Sequence, residues 1–423
     1  MSAINLVRSN NTPAGSGPRI PGVNITTPAF HANPFAFYKQ LRDEAPVHPM
    51  TLPDKRTAWL VTRYDDANAL LRDDRFVKKP GNVLLPPGEA PIKEGWMPGF
   101  LRLLQNNMLD LDGADHDRLR ALVHHAFTPK LVEQMRGQIE SITNQLISKA
   151  LAAGQFDLVR DFALPLPVAV ISSMLGVPEG ERDQFSHWSH TTVSATNNFE
   201  MLLGIPNLWR FMRYIRHLVI LRRAQPADDL ITALLQAREA GDNLSEDEIV
   251  AMIFLLLVAG HETTVTLISS SMLALLQHPE QRQQLQRDPA LIKSAVEELL
   301  RFTTPVALGT ERYAREDIAI AGVTIPKGSL AYAVLSSANR DERRFDEPDL
   351  LNLQREDNRH LGFGQGVHYC LGAPLARMEA QIAINTLLAR IPNLRLAVAP
   401  DKLRWRKSLV IRGLEALSVD CTV

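Results

Sequence analysis

The segment HLGFGQGVHYCLG, residues 360–372, places Cys370 among four glycines and two histidines. Tyr369 stands where a dinucleotide fingerprint needs its third glycine, and a zinc site would need a second cysteine nearby. A catalytic thiol would need a base, but cysteine hydrolases usually take their histidine from elsewhere in the chain, whereas His368 lies only two residues away. A thiolate near a helix N-terminus, beside glycines that let a flat group approach the backbone, fits an axial ligand to haem better.

The composition is that of an ordinary globular protein. Hydrophobic residues make up 45% and charged residues 22% of the 423 residues, and the formal net charge is -1. No global basic field therefore predicts nucleic-acid binding. Two cysteines cannot form a disulfide framework, and residues 1–22 lack the apolar core of a secretory signal. We therefore expect a mobile N-terminal tail over residues 1–22 and a cytoplasmic protein.

Apolar residues recur at helical spacing from Leu101 to about Arg301, and short strand-like runs follow. The sequence SEDE at 245–248 predicts a capping box at the start of a long helix. The apolar run 249–259 in this helix is too short to span a bilayer, so we expect a buried helix and no membrane contact. Residues 409–419 suggest a terminal hairpin. The prediction is a single domain over residues 23–423, mainly α with a smaller β part.

The segment FGQGVHYCLG resembles the haem-binding loop of the cytochrome P-450 family. The family motif fixes a Phe, a Gly, a His or Arg, the Cys and a final Gly, and this chain matches these five positions with Phe363, Gly366, His368, Cys370 and Gly372. By the same resemblance, the residues of this loop that contact the haem would be Phe363, Gly364, His368, Cys370 and Gly372. The resemblance implies that family's triangular helical domain around one haem b, with Cys370 bound to the iron. It also implies a monooxygenase that inserts one oxygen atom from O2 into a hydrophobic substrate, of the fatty acid, terpenoid, steroid or polyketide/macrolide type.

A second motif, AGHETT at 259–264, lies in the predicted long helix. A zinc-protease helix would need a second histidine where Val265 stands, so that interpretation fails. A carboxylate and two hydroxyls among apolar turns are costly to bury unless they are used. In the family that this chain resembles, Ala259 would lie beside the haem, and Glu262 and Thr263 would be the catalytic residues that deliver protons for cleavage of the O–O bond.

Two further patterns match the family in order along the chain. Read alone, Glu298 and Arg301 could be a surface ion pair; the resemblance implies a structural contact with a third residue, for which Arg355 is the candidate. The segment around 116–120 could be a solvated basic helix face. The resemblance instead implies that four side chains bind the haem propionates: His116, Arg120, Arg312 and His360.

Family topology also suggests which apolar residues contact the substrate on the distal side, the side of the haem opposite Cys370. They are Met108, Leu109, Leu255, Val258, Val306, Leu308 and Val410. We expect a monomer that receives electrons from a ferredoxin or flavodoxin with its NAD(P)H-dependent reductase. Arg118, Arg359 and Arg377 would supply positive charge for docking that partner near the cysteine face.

Three other functions remain open on the sequence alone. A haem-binding sensor or carrier without turnover would leave the acid–threonine pair unexplained. A peroxide-driven haem enzyme is less consistent with the same pair, because members specialised in that way tend to lack it. A cysteine-nucleophile hydrolase would contain no chromophore.

Overall fold

The protein is described here by a computed structural model, which describes residues 23–83, 106–182, 184–185, 188, 198–239 and 242–422. The predicted tail over residues 1–22 lies outside the described residues. Helices dominate the described part, as the sequence predicts.

The helices before residue 113 have at most ten residues, and the longest helices lie after it. The N-terminal ones are α1 (Pro28–Ala32), α2 (Phe35–Glu44) and α3 (Tyr64–Arg72). The middle of the chain forms α4 (Gly113–Ala126), α5 (Pro129–Gln134), α6 (Arg136–Ala153), α7 (Pro165–Met174), α8 (Asn198–Ala224), α9 (Leu230–Gln236) and α10 (Glu246–Gln277). The last are α11 (Pro279–Arg287), α12 (Ile292–Thr303), α13 (Leu335–Ala338) and α14 (Ala373–Arg390). A π-helical turn (Leu158–Ala163) precedes α7, and single 3-10 turns lie at Pro80–Asn82, Glu179–Glu181, Pro289–Leu291, Gly366–His368 and Pro400–Lys402.

In the described residues the β part is small and divided among four sheets. Its strands are β1 (Val47–Thr51), β2 (Thr57–Val61), β3 (Phe76–Val77), β4 (Gln155–Asp157), β5 (Arg238–Glu239), β6 (Asp242–Asn243), β7 (Arg312–Ala314), β8 (Ile318–Ile320), β9 (Val323–Ile325), β10 (Leu330–Ala333), β11 (Arg395–Leu396) and β12 (Ser418–Asp420). The main sheet has the order β1-β2-β10-β7-β3, and a three-stranded sheet has the order β11-β12-β4. The pairs β5–β6 and β8–β9 complete the β part.

Helix α10 runs through the main core, and its first turn is fixed by the predicted capping box. The Ser245 hydroxyl accepts from the Glu248 N–H, and the Glu248 carboxylate accepts from the Ser245 N–H. By length and composition alone this helix could cross a membrane, but 61% of its most apolar window is buried inside the protein. The prediction of a buried core helix therefore accounts for its hydrophobicity.

The predicted terminal hairpin over residues 409–419 is wrong. Ile411 forms an isolated bridge with Val306, and Leu414 forms one with Trp405. Strand β12 pairs with β11 and β4, so its partners come from elsewhere in the chain. Spacing around Gly413 could not reveal those long-range pairings, because strand partners are set by tertiary packing.

Candidate active site

The loop before α14 needs its glycines for two different reasons. Gly364 and Gly366 have φ values of 69° and 73°, a region that favours glycine. A Cβ on Gly366 would also lie 2.7 Å from the carbonyl oxygen of Leu71 in α3. The Cys370 N–H donates to the Phe363 carbonyl at 2.9 Å and closes the loop. The loop therefore holds the Cys370 backbone in one position.

The Cys370 thiol is subject to opposing effects on its ionisation. Burial, the largest effect, raises the pKa of Cys370, while the Gly372 N–H, Arg377, Arg120 and the Ala373 N–H lower it. Gly372 is the N-cap of α14, so the amides that the sequence places near the sulfur are those of the helix N-terminus. Their effect is smaller than that of burial, so they reduce but do not remove the cost of a thiolate.

A group of cationic and imidazole side chains lies beside this loop and is called the cation cluster below. It contains Lys78, His116, Arg120, Arg312 and His368. The His116 and His368 rings lie 4.4 Å apart between centroids. Arg120 Nη2 donates to the Tyr369 carbonyl at 2.7 Å, which fixes that guanidinium against the loop.

The cation cluster carries more positive than negative charge, although Asp117 accepts from His116 Nδ1 at 2.8 Å and Asp112 lies near Lys78 and Arg312. Burial lowers the pKa of Arg312 to about 10, and burial together with the charge of Arg312 lowers the pKa of Lys78 to about 7. Arg312 Nε and His116 Nε2 are buried and have no hydrogen-bond partner within the part of the chain that the structure describes. Buried cations and orphaned donors such as Arg312 Nε are costly. Two carboxylates bound here, such as the propionates of a haem, would pair with Arg312 and Lys78, and His116 could donate its Nε2–H to one of them only as the protonated ring, because its Nδ1 donates to Asp117 at 2.8 Å.

Sequence reasoning missed Lys78. Strands β3 and β7 are antiparallel, with Val77 opposite Tyr313, so the next residue along β3 comes next to Arg312. The only signal for Lys78 is this register, which cannot be read from local spacing.

His360 does not join the cation cluster, contrary to the sequence prediction. Its Nδ1 accepts from the Gly362 N–H at 3.0 Å, so its Nε2 carries the proton and donates to Glu297 Oε2 at 3.2 Å. Arg377 also binds Glu297, at 2.7 Å and 2.9 Å. Although burial favours the neutral acid, Arg377 and His360 lower the pKa of Glu297 to about 2. Both ring nitrogens of His360 are occupied, and we remove it from the propionate set.

The middle of α10 carries the predicted acid–threonine pair. The Thr263 hydroxyl donates to the Ala259 carbonyl one turn earlier at 2.6 Å. Ala259 is exposed although it lies within a 32-residue core helix, and Leu255, Val258 and Thr263 are partly exposed. Other side chains therefore do not cover this stretch of α10, and we infer that it borders open space. The Glu262 carboxylate accepts from Arg406 Nη1 at 2.7 Å, a contact across 144 positions that the sequence did not indicate.

The other predicted substrate residues divide into two groups. Val306 and Val410 are partly exposed, and the Val410 carbonyl accepts from the Ala307 N–H at 2.7 Å, so these two segments lie side by side. Leu109 is also partly exposed, and Met108 is 8% exposed within the main core. Leu308 is 0% exposed and packs in a separate cluster around the main sheet. The prediction for Leu308 is wrong because β-sheet packing covers it completely.

The three predicted structural residues meet in the interior. Arg301 donates to both oxygens of Glu298 at 2.8 Å, and both side chains are 0% exposed. Arg355 Nε donates to Glu298 Oε2 at 3.1 Å. Arg301 also donates to the carbonyls of Asn339, Pro348 and Leu350. The surface interpretation of Glu298 and Arg301 is therefore wrong, because this pair ties α12 to the irregular segment before the Cys370 loop.

The three arginines expected to dock an electron donor are all paired with acids. Arg118 binds Glu248, Arg359 binds Asp357 at 3.0 Å, and Arg377 binds Glu297. A surface cavity of about 400 Å³ lies on this side of the Cys370 loop, lined in part by Arg72, Arg359, Phe363, Tyr369 and Arg377. The charge available to a partner on this face is smaller than a count of arginines suggests.

Comparison with known proteins matches residues 31–401 to the family model described as Cytochrome P-450. The chain is 44% identical over 395 residues to the polyketide biosynthesis cytochrome P-450 PksS of Bacillus subtilis, covering 92% of this chain and 96% of PksS. The mycinamicin IV hydroxylase/epoxidase of Micromonospora griseorubida is 41% identical, with 89% of this chain and 92% of that protein covered.

Solved structures agree with this assignment. The structure of PksS superposes with a TM-score of 0.87 at 43% identity, covering 95% of this chain and all of that chain (100%). A cytochrome P-450 BioI bound to an acyl carrier protein carrying hexadec-9Z-enoic acid has a TM-score of 0.82 at 39% identity, with 93% and 99% of the two chains covered. Members of this family bind one haem b per chain and act as monooxygenases. The cysteine loop, the cation cluster and these relatives together place the chain in the cytochrome P-450 family.

Proposed function

We propose that this chain oxidises an extended apolar substrate of the fatty-acyl or polyketide/macrolide class by inserting one oxygen atom from O2. The observation that carries this proposal is the exposed Ala259 within the core helix α10, flanked by partly exposed Leu255 and Val258. An uncovered row of apolar side chains on a core helix suits a hydrophobic ligand. The relatives named for polyketide biosynthesis and mycinamicin oxidation, and the one bound to an acylated carrier protein, support the same substrate classes.

The residues of the cysteine side would hold the haem. Cys370 is the proposed iron ligand, and the backbone at Gly364 and Gly372 together with Phe363 gives the macrocycle a close surface. His116, Arg120, Arg312 and His368, joined by Lys78, would bind the two propionates, which supply the negative charge that the cation cluster lacks. When bound, the haem supplies the chemistry of oxygen activation, and a thiolate ligand favours cleavage of the O–O bond.

Glu262 and Thr263 are the proposed proton relay. Cleavage of O2 to one inserted oxygen atom and one water consumes two electrons and two protons. The Thr263 hydroxyl lies beside the open space and can pass a proton into it, while Glu262 is partly exposed and can take protons from water. Apolar residues on α10 keep bulk water from the reacting atoms. Met108, Leu109, Val306 and Val410 complete the proposed substrate contacts.

The electrons come from a separate protein in this proposal. A ferredoxin or flavodoxin with its NAD(P)H-dependent reductase would dock near the cavity beside Phe363 and Tyr369. We propose a cytoplasmic, monomeric enzyme over residues 23–423. Residues Glu298, Arg301 and Arg355 have a structural role in it, because they hold the segment that leads into the cysteine loop.

The test supplies the haem-loaded protein with a surrogate ferredoxin and reductase, NADPH and isotopically labelled dioxygen. Candidate substrates are a free long-chain fatty acid, the same acid on an acyl carrier protein, and a macrolide aglycone. The proposal predicts a substrate-induced change in the haem spectrum and a product with one labelled oxygen atom for at least one of these classes. A label that comes only from water, or binding and turnover of none of the three, would contradict it.

A further inference from the structure

We infer that Arg406 is a positioning residue for Glu262 and that its loop links the substrate pocket with proton delivery. This inference rests on the proposed relay through Glu262 and Thr263. The segment concerned, residues 405–414, is called the C-terminal loop below. It crosses α10 at the relay and also contains Val410, a proposed substrate contact.

The ion pair between Arg406 and Glu262 lies at the edge of the protein interior. Arg406 Nη1 donates to Glu262 Oε1 at 2.7 Å, and the two side chains are 30% and 28% exposed. Both side chains are therefore partly covered by the protein and partly accessible to solvent. The pair is placed where a carboxyl group has to exchange protons with water before it serves Thr263.

Arg406 is held by its own loop, so its position is defined independently of Glu262. Its backbone N–H donates to the Gly413 carbonyl at 2.9 Å, and its Nε donates to the Leu414 carbonyl at 3.1 Å. The bridge between Trp405 and Leu414 closes the base of the loop. With Nε fixed, the guanidinium presents its remaining donors in one plane toward α10. A lysine could not make both the Leu414 and the Glu262 contacts from one nitrogen in the same geometry.

The C-terminal loop also packs directly against α10. A Cβ on Gly413 would lie 2.8 Å from the Thr266 hydroxyl oxygen and 3.3 Å from its methyl group. Thr266 is one helical turn after Glu262, so these two residues share a face of the helix. The loop thus contacts α10 at two consecutive turns, through a backbone contact at Thr266 and an ion pair at Glu262.

The far side of the C-terminal loop borders the proposed substrate pocket. The Val410 carbonyl accepts from the Ala307 N–H at 2.7 Å, and Ile411 bridges to Val306. The Ser408 hydroxyl accepts from the N–H groups of Val410 and Ile411, which stiffens the tip. A substrate that contacts Val410 therefore acts on the loop that holds Arg406.

The resulting proton step balances without an added reactant. The Glu262 carboxyl turns from Arg406 toward Thr263 and gives its proton to the hydroxyl oxygen. The hydroxyl passes its own proton to the oxygen atom that leaves as water, and the Glu262 carboxylate takes its next proton from a hydronium ion of the solvent before or after it returns to Arg406. Arg406 defines the solvent-side position of this cycle. Without Arg406, the Glu262 carboxylate has no fixed solvent-side position from which to take up a proton.

The functional test compares Arg406→Gln and Arg406→Lys with Arg404→Gln in the haem-loaded protein with its electron donor. Arg404 is a matched control, since it lies two positions away, is 74% exposed and contacts Glu415 at only 3.6 Å. We expect Arg406→Gln to raise the fraction of NADPH lost as hydrogen peroxide several-fold and to increase the solvent isotope effect on product formation. Arg406→Lys should give a peroxide fraction between those of the wild type and Arg406→Gln. Arg404→Gln should give the wild-type peroxide fraction.

A second test separates a positioning role from a merely structural one. In a Glu262→Gln background, Arg406→Gln should not increase peroxide further, because Arg406 acts through Glu262. The urea midpoints of the two single variants and the double variant should show the same non-additivity, which reports the ion pair without any turnover. Additive effects in both measurements would overturn the inference.

The two proposals can fail separately. If Glu262→Gln keeps wild-type coupling of NADPH to product, the relay fails and the role of Arg406 in it fails too. If Glu262→Gln uncouples the reaction but Arg406→Gln does not, the relay stands and the inference about Arg406 is overturned.

Discussion

The buried contact between Arg301 and Glu298 gives the sharpest stability prediction. Arg301 makes five hydrogen bonds, two to Glu298 and three to the carbonyls of Asn339, Pro348 and Leu350, and both charged side chains are 0% exposed. In Arg301→Lys, one ammonium with three donors replaces the guanidinium, so at least two of these bonds are lost. At about 1.5–3 kcal/mol for each bond to a charged group, the loss is about 3–6 kcal/mol.

That loss is a large part of the free energy of unfolding of a typical protein, about 5–15 kcal/mol. We expect Arg301→Lys to lower the urea midpoint strongly and to reduce the fraction of protein that retains haem, since the pair ties α12 to the segment that leads to Cys370. Tryptophan fluorescence in urea measures the first effect, and the ratio of haem to protein measures the second.

The matched control is Arg395→Lys. Arg395 binds Asp420 at 2.7 Å, a distance close to that of the buried pair, but its side chain is 62% exposed. An exposed pair contributes only about 0–1 kcal/mol, so this variant should be nearly as stable as the wild type. If Arg301→Lys lowers the free energy of unfolding by no more than Arg395→Lys does, then burial does not make the Arg301 pair essential.

Three further predictions follow from single side chains. Burial raises the pKa of Glu379 to about 8 from an ordinary 4.5. As the pH rises, the unfolded chain therefore loses this proton before the folded protein does. The contribution of Glu379 to the free energy of unfolding falls between about pH 4.5 and pH 8, by up to about 1.4 kcal/mol per pH unit. Glu379→Gln should remove that fall in urea titrations at pH 5 and pH 8; an unchanged pH profile would contradict it. Arg312→Gln should speed haem transfer to apomyoglobin, whereas Arg315→Gln should not; equal rates would remove Arg312 from the propionate set. Thr263→Ala should divert NADPH to hydrogen peroxide, and intact coupling would assign the relay to another group.

The sequence predicts most of what local patterns encode. The helix α10, its capping box at Ser245 and the helix after Cys370 follow from residue spacing and cap chemistry, and the structure contains each of them. The motif around Cys370 names the family because its glycines and its cysteine have fixed spacing. These features depend on residues within one or two turns of each other.

The errors concern long-range contacts. His360 has the right chemistry for a propionate but lies against Glu297, and Leu308 is apolar but covered by the sheet. Lys78 comes to Arg312 through the register of β3 and β7, and Arg406 reaches Glu262 from near the C-terminus. No local sequence pattern around Lys78 or Arg406 identifies either residue as part of the site. Only the packing of distant segments brings them to the site.

The central claim is that Cys370 binds the iron of a haem as a thiolate. The most direct test is the carbon-monoxide difference spectrum of the reduced, haem-loaded protein beside that of Cys370→Ser. We expect the red-shifted band of thiolate-ligated haem in the wild type and its loss in the variant, with the haem still bound through the cation cluster. A wild type without that band, or a Cys370→Ser variant that keeps it, would contradict the account.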